Sequence, residues 1–284
     1  MFLVTGPTGN VGRHVVSQLV AAHADVRILT RNRMKAEQLL GPGGYEIVEG
    51  GFDDPKAVSK AMRGIDGVYF VSLESDEYVA QMGAMLGVAK QEGVRRIVLL
   101  SARADIASHV PFFRWHGIIE RMVLNSGIPC TLLRPAWFMQ NFLESAVGGT
   151  IRFAGGEGLM GFIDTRDIGS VIVKALTEPG HQPKLYLLTG PESINHCRVA
   201  EILSECSGKQ FTYHALEPAE FKRELIASGK DAAFAQLSVD ITDYMRKKYS
   251  GELFPDLEQI LGRDGITFRQ FALDHVGQFR RLAG

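Results

Sequence analysis

Short apolar runs alternate with amphipathic helical patterns through the first half of the chain. Each run has the length and near-continuous apolar character of a strand buried in a parallel sheet. Such alternation predicts βαβ units with right-handed crossovers. The predicted strands lie at residues 2–4, 25–30, 45–49, 66–73, 95–101 and 130–134.

The regular alternation ends near residue 135. We therefore expect an α/β fold in which residues 1–135 form a Rossmann-type doubly wound parallel sheet. Residues 136–284 are expected to form a smaller, mostly helical C-terminal lobe that closes over a cofactor, with some segments returning to the sheet. Short strands are predicted at 150–153, 186–189 and 211–214, and helices at 164–177, 195–208, 217–228, 231–248, 254–261 and 267–281.

Three glycines follow the first strand and precede the first helix. Gly6, Gly9 and Gly12 are spaced three residues apart, as GxxGxxG and not the GxGxxG of the common dinucleotide fingerprint. Gly6 suits a tight turn, Gly9 lets backbone N–H groups approach a pyrophosphate, and Gly12 lets the helix pack on the strand. The helix N-terminus favours phosphate, so we predict a dinucleotide site rather than an ordinary βα turn. We expect Thr8, Asn10 and Val11 to belong to this cofactor-binding loop as well.

The end of the second strand indicates which dinucleotide is bound. An NAD site carries a carboxylate there for the ribose 2′-hydroxyl, whereas this chain has Arg31 and, four residues later, Lys35. Cations in that position suit the 2′-phosphate of NADP(H), although a solvated basic helix start has the same composition. Asp53, after the third strand, is placed either to accept from an adenine amino group or to belong to the helix cap that begins at Asp54.

Ligands of doubly wound sheets bind outside the carboxyl ends of the strands. That rule places the reactive end of the cofactor beside Val71, Ser72, Leu73, Ser101, Pro135, Ala136, Trp137 and Phe138.

Bulk properties exclude several classes of function. The net charge of −1 over 284 residues offers no field for nucleic acid or an anionic membrane surface. The three cysteines and the histidines show no metal-ligand spacing, so no metal is expected. No apolar run approaches a membrane span, and the first strand begins at residue 2, which leaves no room for a signal peptide. We expect a soluble cytoplasmic protein.

Recognisable motifs occur at residues 4–12, 116–120, 126–135, 137–141, 162–167 and 186–191, with Arg31 and Ser101. Together they resemble the NmrA-like branch of the atypical short-chain dehydrogenase/reductases, and they span about two thirds of the chain in the family's order. The resemblance implies an NAD(P)-binding fold with a cleft under the C-terminal lobe. Members of this branch include redox-sensing regulators and reductases of quinones, triarylmethane dyes and iminium compounds. The sequence leaves open whether the protein forms a homodimer.

The proton donor of ordinary relatives is missing. Where they carry a Tyr-x-x-x-Lys pair, this chain has His116 and Glu120 at the same spacing. A second match, at Tyr244 and Lys248, lies far downstream and is treated as chance. His116 is the candidate general acid, since its ordinary pKa is near neutral. The alternative is a structural hydrogen bond or ion pair between His116 and Glu120.

Aromatic residues near the strand ends favour a flat, apolar acceptor. The candidates for substrate contact are Trp115, Trp137, Phe138, Phe142 and Phe162, and ordinary hydrophobic packing is the alternative for each. We predict an NADPH-dependent reductase that transfers a hydride to a planar quinone-like or conjugated aromatic molecule. A non-catalytic NADP(H) sensor acting through a protein partner is the first alternative. An isomerase or epimerase that uses bound cofactor is the second.

Overall fold

The computed structural model describes residues 1–72, 75–248 and 251–284. The chain divides into two compact units. The first comprises Met1–Pro135, Thr165–Leu188 and Gln259–Gly262, and the second comprises Ala136–Asp164, Thr189–Glu258 and Arg263–Gly284.

The first unit is built on a seven-stranded, wholly parallel sheet. The strands are β1 (Phe2–Thr5), β2 (Val26–Thr30), β3 (Tyr45–Glu49), β4 (Gly67–Val71), β5 (Arg96–Leu100), β6 (Cys130–Pro135) and β8 (Lys184–Leu188). Their order in the sheet is β3-β2-β1-β4-β5-β6-β8, and it reverses between β1 and β4, which is the switch point where doubly wound sheets bind ligands. The predicted Rossmann-type α/β fold is therefore confirmed.

Side-chain caps set the starts of three helices in this unit. Asn32, Asp54 and Ser75 each accept a backbone N–H from the first turn of the helix that follows. Such caps satisfy donors that the helix itself leaves unpaired. The helices of the unit are α1 (Gly12–Ala21), α2 (Arg33–Leu40), α3 (Pro55–Met62), α4 (Asp76–Gln91), α5 (Pro111–Asn125) and α7 (Thr165–Thr177).

The central strands are buried on both faces, as their continuous apolar sequences require. On one face, Leu3, Phe70 and Leu99 pack in a core with Met82 and Ile119 of the covering helices α4 and α5. The core therefore fixes the carboxyl ends of β1, β4 and β5 in one row at the same edge of the sheet.

The second unit has a two-stranded parallel sheet and a phenylalanine-rich core. Phe142, Phe162 and Phe268 are completely buried in this core. The predicted helix 267–281 is wrong in one respect, because it is two helices separated at His275. The elements are β7 (Thr150–Phe153), β9 (Thr212–Ala215), α6 (Phe142–Ser145), α8 (His196–Ser207), α9 (Pro218–Ala227), α10 (Ala232–Lys248), α12 (Phe268–Asp274) and α13 (Val276–Ala283). The remaining helix, α11, spans Asp256–Leu261.

Candidate functional site

The glycine loop joins β1 to α1 by a turn that only small residues allow. Gly6 has φ +57°, a left-handed conformation that favours glycine. The Gly9 N–H donates to the Gly6 carbonyl at 3.1 Å, which closes the turn. A Cβ on Gly12 would lie 2.1 Å from the Gly6 carbonyl oxygen, so the helix starts directly against the turn. The geometry agrees with the turn and packing functions assigned to Gly6 and Gly12.

Backbone donors are left free at the start of α1. The N–H groups of Asn10, Val11 and Gly12 donate to no acceptor in the part of the chain that the structure describes. Val11 occupies the cap position and has no side-chain oxygen, and the first turn carries no acidic residue. Unpaired donors at the positive end of a helix are the elements of a phosphate site, and half-buried Thr8 lies in the same loop.

At the end of β2, the cations differ in their contacts. Arg31 is exposed and forms no ion pair within the described residues, whereas Arg33 pairs with Glu37 at 3.2 Å. The helix α2 begins at Arg33 after the Asn32 cap, so Arg31 precedes the helix and Lys35 lies in its first turn. Arg31, unlike Arg33, is therefore free for an anionic ligand.

Gly51 lets two candidate ligand-binding side chains come close together. A Cβ on this glycine would lie 2.2 Å from Asp53 Oδ1 and 3.5 Å from Arg31 Cδ. The cap of α3 is formed by Asp54, which accepts from the Ala57 N–H at 3.1 Å, and not by Asp53. The exposed Asp53 carboxylate is thus left available, beside Arg31. Sequence reasoning overlooked Gly51, although its place in a glycine pair after a strand was a usable signal.

The carboxyl ends of β4 and β5 lie side by side. The Ser72 N–H donates to the Leu100 carbonyl at 3.2 Å, and Ser72 follows Val71 at the end of β4. The Ser72 hydroxyl is buried and has no hydrogen-bond partner among the described residues. Predicted Leu73 lies outside the described residues.

His116 lies in α5, next to the end of β5. Its Nδ1 is 3.4 Å from the hydroxyl oxygen of Ser101. The ring of Phe112 packs edge-on against the imidazole, with 4.7 Å between the two ring centroids. Burial, and secondarily the positive charge of Arg134, lowers the pKa of His116 to about 4. His116 is therefore a neutral imidazole at neutral pH.

Glu120, one helical turn after His116, is paired with Arg134 at the end of β6. The guanidinium donates from Nε at 2.9 Å and from Nη2 at 2.5 Å, a bidentate arrangement. Glu120 is buried and Arg134 is half-buried. This ion pair raises the pKa of Arg134 and takes the place of the alternative His116–Glu120 pair. Sequence reasoning missed Arg134, whose signal was a cation within a buried strand.

The predicted substrate aromatics fall in different environments. Trp115 is in the first unit, where its indole N–H donates to Asp76 of α4 at 2.7 Å. In the second unit, Trp137 and Phe138 are half-buried, and Ala136 precedes them directly after Pro135.

Phe142 and Phe162 are in the core of the second unit, with their ring centroids 5.1 Å apart. Both rings contact other core residues, which is the packing alternative considered for them. Contact with substrate stays a prediction for all five aromatic residues. The side chains of Tyr244 and Lys248 lie outside the described residues.

A buried histidine of the second unit was not singled out by the sequence. The His196 ring lies between the rings of Phe153 and Tyr213, at 4.9 and 5.1 Å between centroids. Its Nδ1 is buried and has no partner in the described chain. Burial lowers the pKa of His196 to about 4, so it too is neutral at neutral pH.

Two absences hold for the described ranges 1–72, 75–248 and 251–284. They contain no group of three or more His, Cys, Asp or Glu side chains that could hold a metal ion. No helix within them is long and apolar enough to cross a membrane.

Comparisons with known proteins identify the family of this chain. The model of the NmrA-like family matches residues 1–249. An NAD(P)H azoreductase of Xenophilus azovorans is 31% identical over 286 residues, which cover 98% of this chain and 99% of that protein. The NADPH complex of the quinone oxidoreductase QOR2 of Escherichia coli has a TM-score of 0.85 at 27% identity, covering 98% of this chain and 100% of the other.

A triphenylmethane reductase of Citrobacter sp., complexed with NADP(H), is similar to a comparable degree. Its TM-score is 0.83 at 25% identity, with coverage of 97% of this chain and 100% of the other. The predicted resemblance is confirmed: the chain belongs to the NmrA-like family.

Proposed function

We propose that this chain is an NADPH-dependent reductase that delivers a hydride to a planar, quinone-like or conjugated aromatic acceptor without a Tyr-x-x-x-Lys acid pair. The relatives confirm the coarser part, an NAD(P)H-dependent oxidoreductase that uses NADP(H). The observation that carries the finer part is the buried, neutral His116 beside Ser101 at the carboxyl edge of the sheet.

The first unit contains the residues that we assign to the phosphates and the adenine of the cofactor. The free N–H groups of Asn10, Val11 and Gly12 suit the pyrophosphate, and unpaired Arg31 suits the 2′-phosphate. Asp53 is available to accept from the adenine amino group. When bound, NADPH supplies the hydride, and the residues at the ends of β4 and β5 orient its reactive end.

The state of His116 restricts the acceptor. Reduction of a simple ketone produces a strongly basic alkoxide, which needs an acid in place. A quinone instead becomes a phenolate-like anion with a pKa of about 10, by analogy with tyrosine, and this anion can take its proton from water. A neutral imidazole suits the second case, because it cannot act as an imidazolium acid at neutral pH.

Ser101 and His116 then act as neutral hydrogen-bonding groups. The imidazole holds the Ser101 hydroxyl at 3.4 Å, and the hydroxyl hydrogen donates to the oxygen on which negative charge develops. No proton is transferred by the protein in this scheme. Reduced quinone leaves as the anion or is protonated by solvent.

Turnover assays test the proposal. Purified protein is mixed with NADPH or NADH and a panel of acceptors: menadione, a second naphthoquinone, an aromatic polyketide quinone, a cationic triarylmethane dye and a simple aliphatic ketone. We expect acceptor-dependent NADPH oxidation with the conjugated acceptors, slower oxidation with NADH, and none with the ketone.

The same assay separates the alternative function. Tight NADPH binding, measured by calorimetry, without turnover of any acceptor would refute the reductase and favour the sensor. Turnover of the ketone at a rate equal to that of menadione would refute the assignment of acceptor class. Epimerisation without net NADPH oxidation would favour the isomerase.

A further inference from the structure

The ion pair between Glu120 and Arg134 lies one helical turn from His116, and its carboxylate is deeply buried. The Glu120 side chain is only 6% exposed and that of Arg134 is 27% exposed. Both guanidinium contacts to the carboxylate are within hydrogen-bond distance. A buried carboxylate paired with a half-buried guanidinium gains little stability over an apolar pair, so its presence calls for a reason beyond holding α5 to β6.

The surroundings of His116 suggest that reason. Its own helix contributes the carboxylate of Glu120 and the ring of Phe112, the end of β5 contributes the neutral Ser101 hydroxyl, and β6 contributes the guanidinium of Arg134. The charged groups on α5 and β6 that pair beside it are Glu120 and Arg134. The loop before α5 adds Asp105, whose N–H donates to the Phe113 carbonyl at 2.9 Å.

The Glu120 carboxylate lies one helical turn from the imidazole, and the guanidinium holds it by both oxygens. If this cation were absent, the buried carboxylate would raise the pKa of the nearest base and favour its protonated form. That base is His116, four residues earlier on the same helix.

We propose that Arg134 is a positioning residue of the reducing site, which holds the Glu120 carboxylate in a bidentate pair so that His116 stays an uncharged hydrogen-bonding partner of Ser101. The inference rests on the proposed function for its consequence in catalysis, but the charge state of His116 can be measured without any substrate. Burial and the nearby guanidinium lower the pKa of His116 to about 4, in the same direction.

The test is a histidine titration by nitrogen-15 NMR of the full-length protein in wild type and in three variants. Arg134→Met removes the charge and keeps most of the side-chain length. Glu120→Gln removes the anion and keeps the shape. The double variant removes both charges, and a His116→Gln sample identifies the resonances of His116.

We expect a pattern that a purely structural ion pair does not produce. The pKa of His116 should rise from about 4 in wild type to above its ordinary 6.5 in Arg134→Met. It should return below 6.5 in the double variant, because the anion that draws the proton is gone. Glu120→Gln alone should keep His116 neutral at pH 6.5 and above.

A second readout connects the charge state to turnover. In Arg134→Met, the kcat for menadione should become pH-dependent, with a midpoint at the raised pKa measured by NMR, whereas the wild-type profile stays flat. Arg134→Gln serves if Arg134→Met does not fold, since the amide can still donate to Glu120 while the positive charge is absent.

An unchanged His116 titration in a folded, charge-removing Arg134 variant would overturn the inference. A raised pKa that the double variant does not reverse would also overturn it, because the carboxylate would then not be the cause. Absence of turnover with any acceptor would refute the proposed reductase and leave the NMR result to decide the role of Arg134 in setting the charge of His116.

Discussion

The pH dependence of quinone reduction separates the two roles open to His116. With a pKa of about 4, the charged fraction of the imidazole is about 1 in 100 at pH 6, about 1 in 1,000 at pH 7 and about 1 in 10,000 at pH 8. If the imidazolium were the proton donor, kcat would follow this population and fall about 100-fold from pH 6 to pH 8. If the neutral ring only holds Ser101, kcat should change by no more than about twofold over the same range.

The assay measures kcat at saturating NADPH and menadione, so that the profile reports the complex and not the free protein. Oxidation of NADPH without protein is subtracted at each pH. The matched variant is His116→Gln, whose amide can still contact the Ser101 hydroxyl and does not titrate. We expect this variant to retain kcat within about tenfold and to keep a flat profile.

One result would refute the reasoning. A fall of about 100-fold between pH 6 and pH 8 in wild type, absent in His116→Gln, would make His116 the general acid. The acceptor class would then widen to substrates that need a proton from the protein, including simple ketones.

Further predictions concern the cofactor loop and the second unit. Arg31→Ala should weaken NADPH binding by about tenfold with little effect on NADH binding, because a charge-assisted contact to the 2′-phosphate is lost. Calorimetry measures the affinity for each dinucleotide. The control Arg33→Ala removes a cation already paired with Glu37 and should change neither affinity much. Gly9→Ala should fold but bind NADPH poorly, since its Cβ would have only one close neighbour, at 3.3 Å, yet would stand where the pyrophosphate approaches. Gly12→Ala should instead lower the free energy of unfolding by about 1–3 kcal/mol, because its Cβ would lie 2.1 Å from a carbonyl oxygen. Denaturant unfolding with and without NADPH separates the loss of binding in Gly9→Ala from the loss of stability in Gly12→Ala. Equal effects of the two variants on binding and stability would contradict the functions assigned to the two glycines. For His196, a native pKa of about 4 against an ordinary 6.5 means that the unfolded chain binds more protons as the pH falls from 6.5 towards 4. Wild type should thus lose about 2 kcal/mol of stability from this side chain between pH 7.5 and 5, and His196→Phe should lose correspondingly less in denaturant unfolding at the two pH values.

The hydrophobic pattern predicted most of the first unit because its strands are buried on both faces. A short, continuous apolar run such as residues 68–71 suits a strand that is buried on both faces of a sheet. Because a helical pattern separates each run from the next, the strands are expected to be parallel. The glycine loop was also readable, since φ +57° at Gly6 favours glycine and the start of α1 leaves no room for a Cβ at Gly12.

Pairings between distant residues could not be read in the same way. Helical spacing brings Glu120 near His116, but the carboxylate binds Arg134 on another element, and that choice depends on how α5 lies on β6. Likewise, a sequence cannot distinguish a phenylalanine that contacts a ligand from one that fills a core, and Phe142 and Phe162 pack in the core of the second unit. Position and spacing are local information, whereas these contacts are set by tertiary packing.

The seventh strand of the parallel sheet has a consequence for how the chain is synthesised. Strand β8 pairs with β6 from Thr131↔Lys184 to Pro135↔Leu188, although 48 residues of other structure separate the two strands in sequence. Helix α7, which packs on α1, arrives in the same late segment. A nascent chain or a truncated fragment that ends at residue 135 therefore has an unpaired β6 edge and an uncovered α1 face, both of which favour aggregation. The N-terminal sheet can be completed only after residue 188 has left the ribosome, so expression of residues 1–135 alone is expected to give insoluble protein.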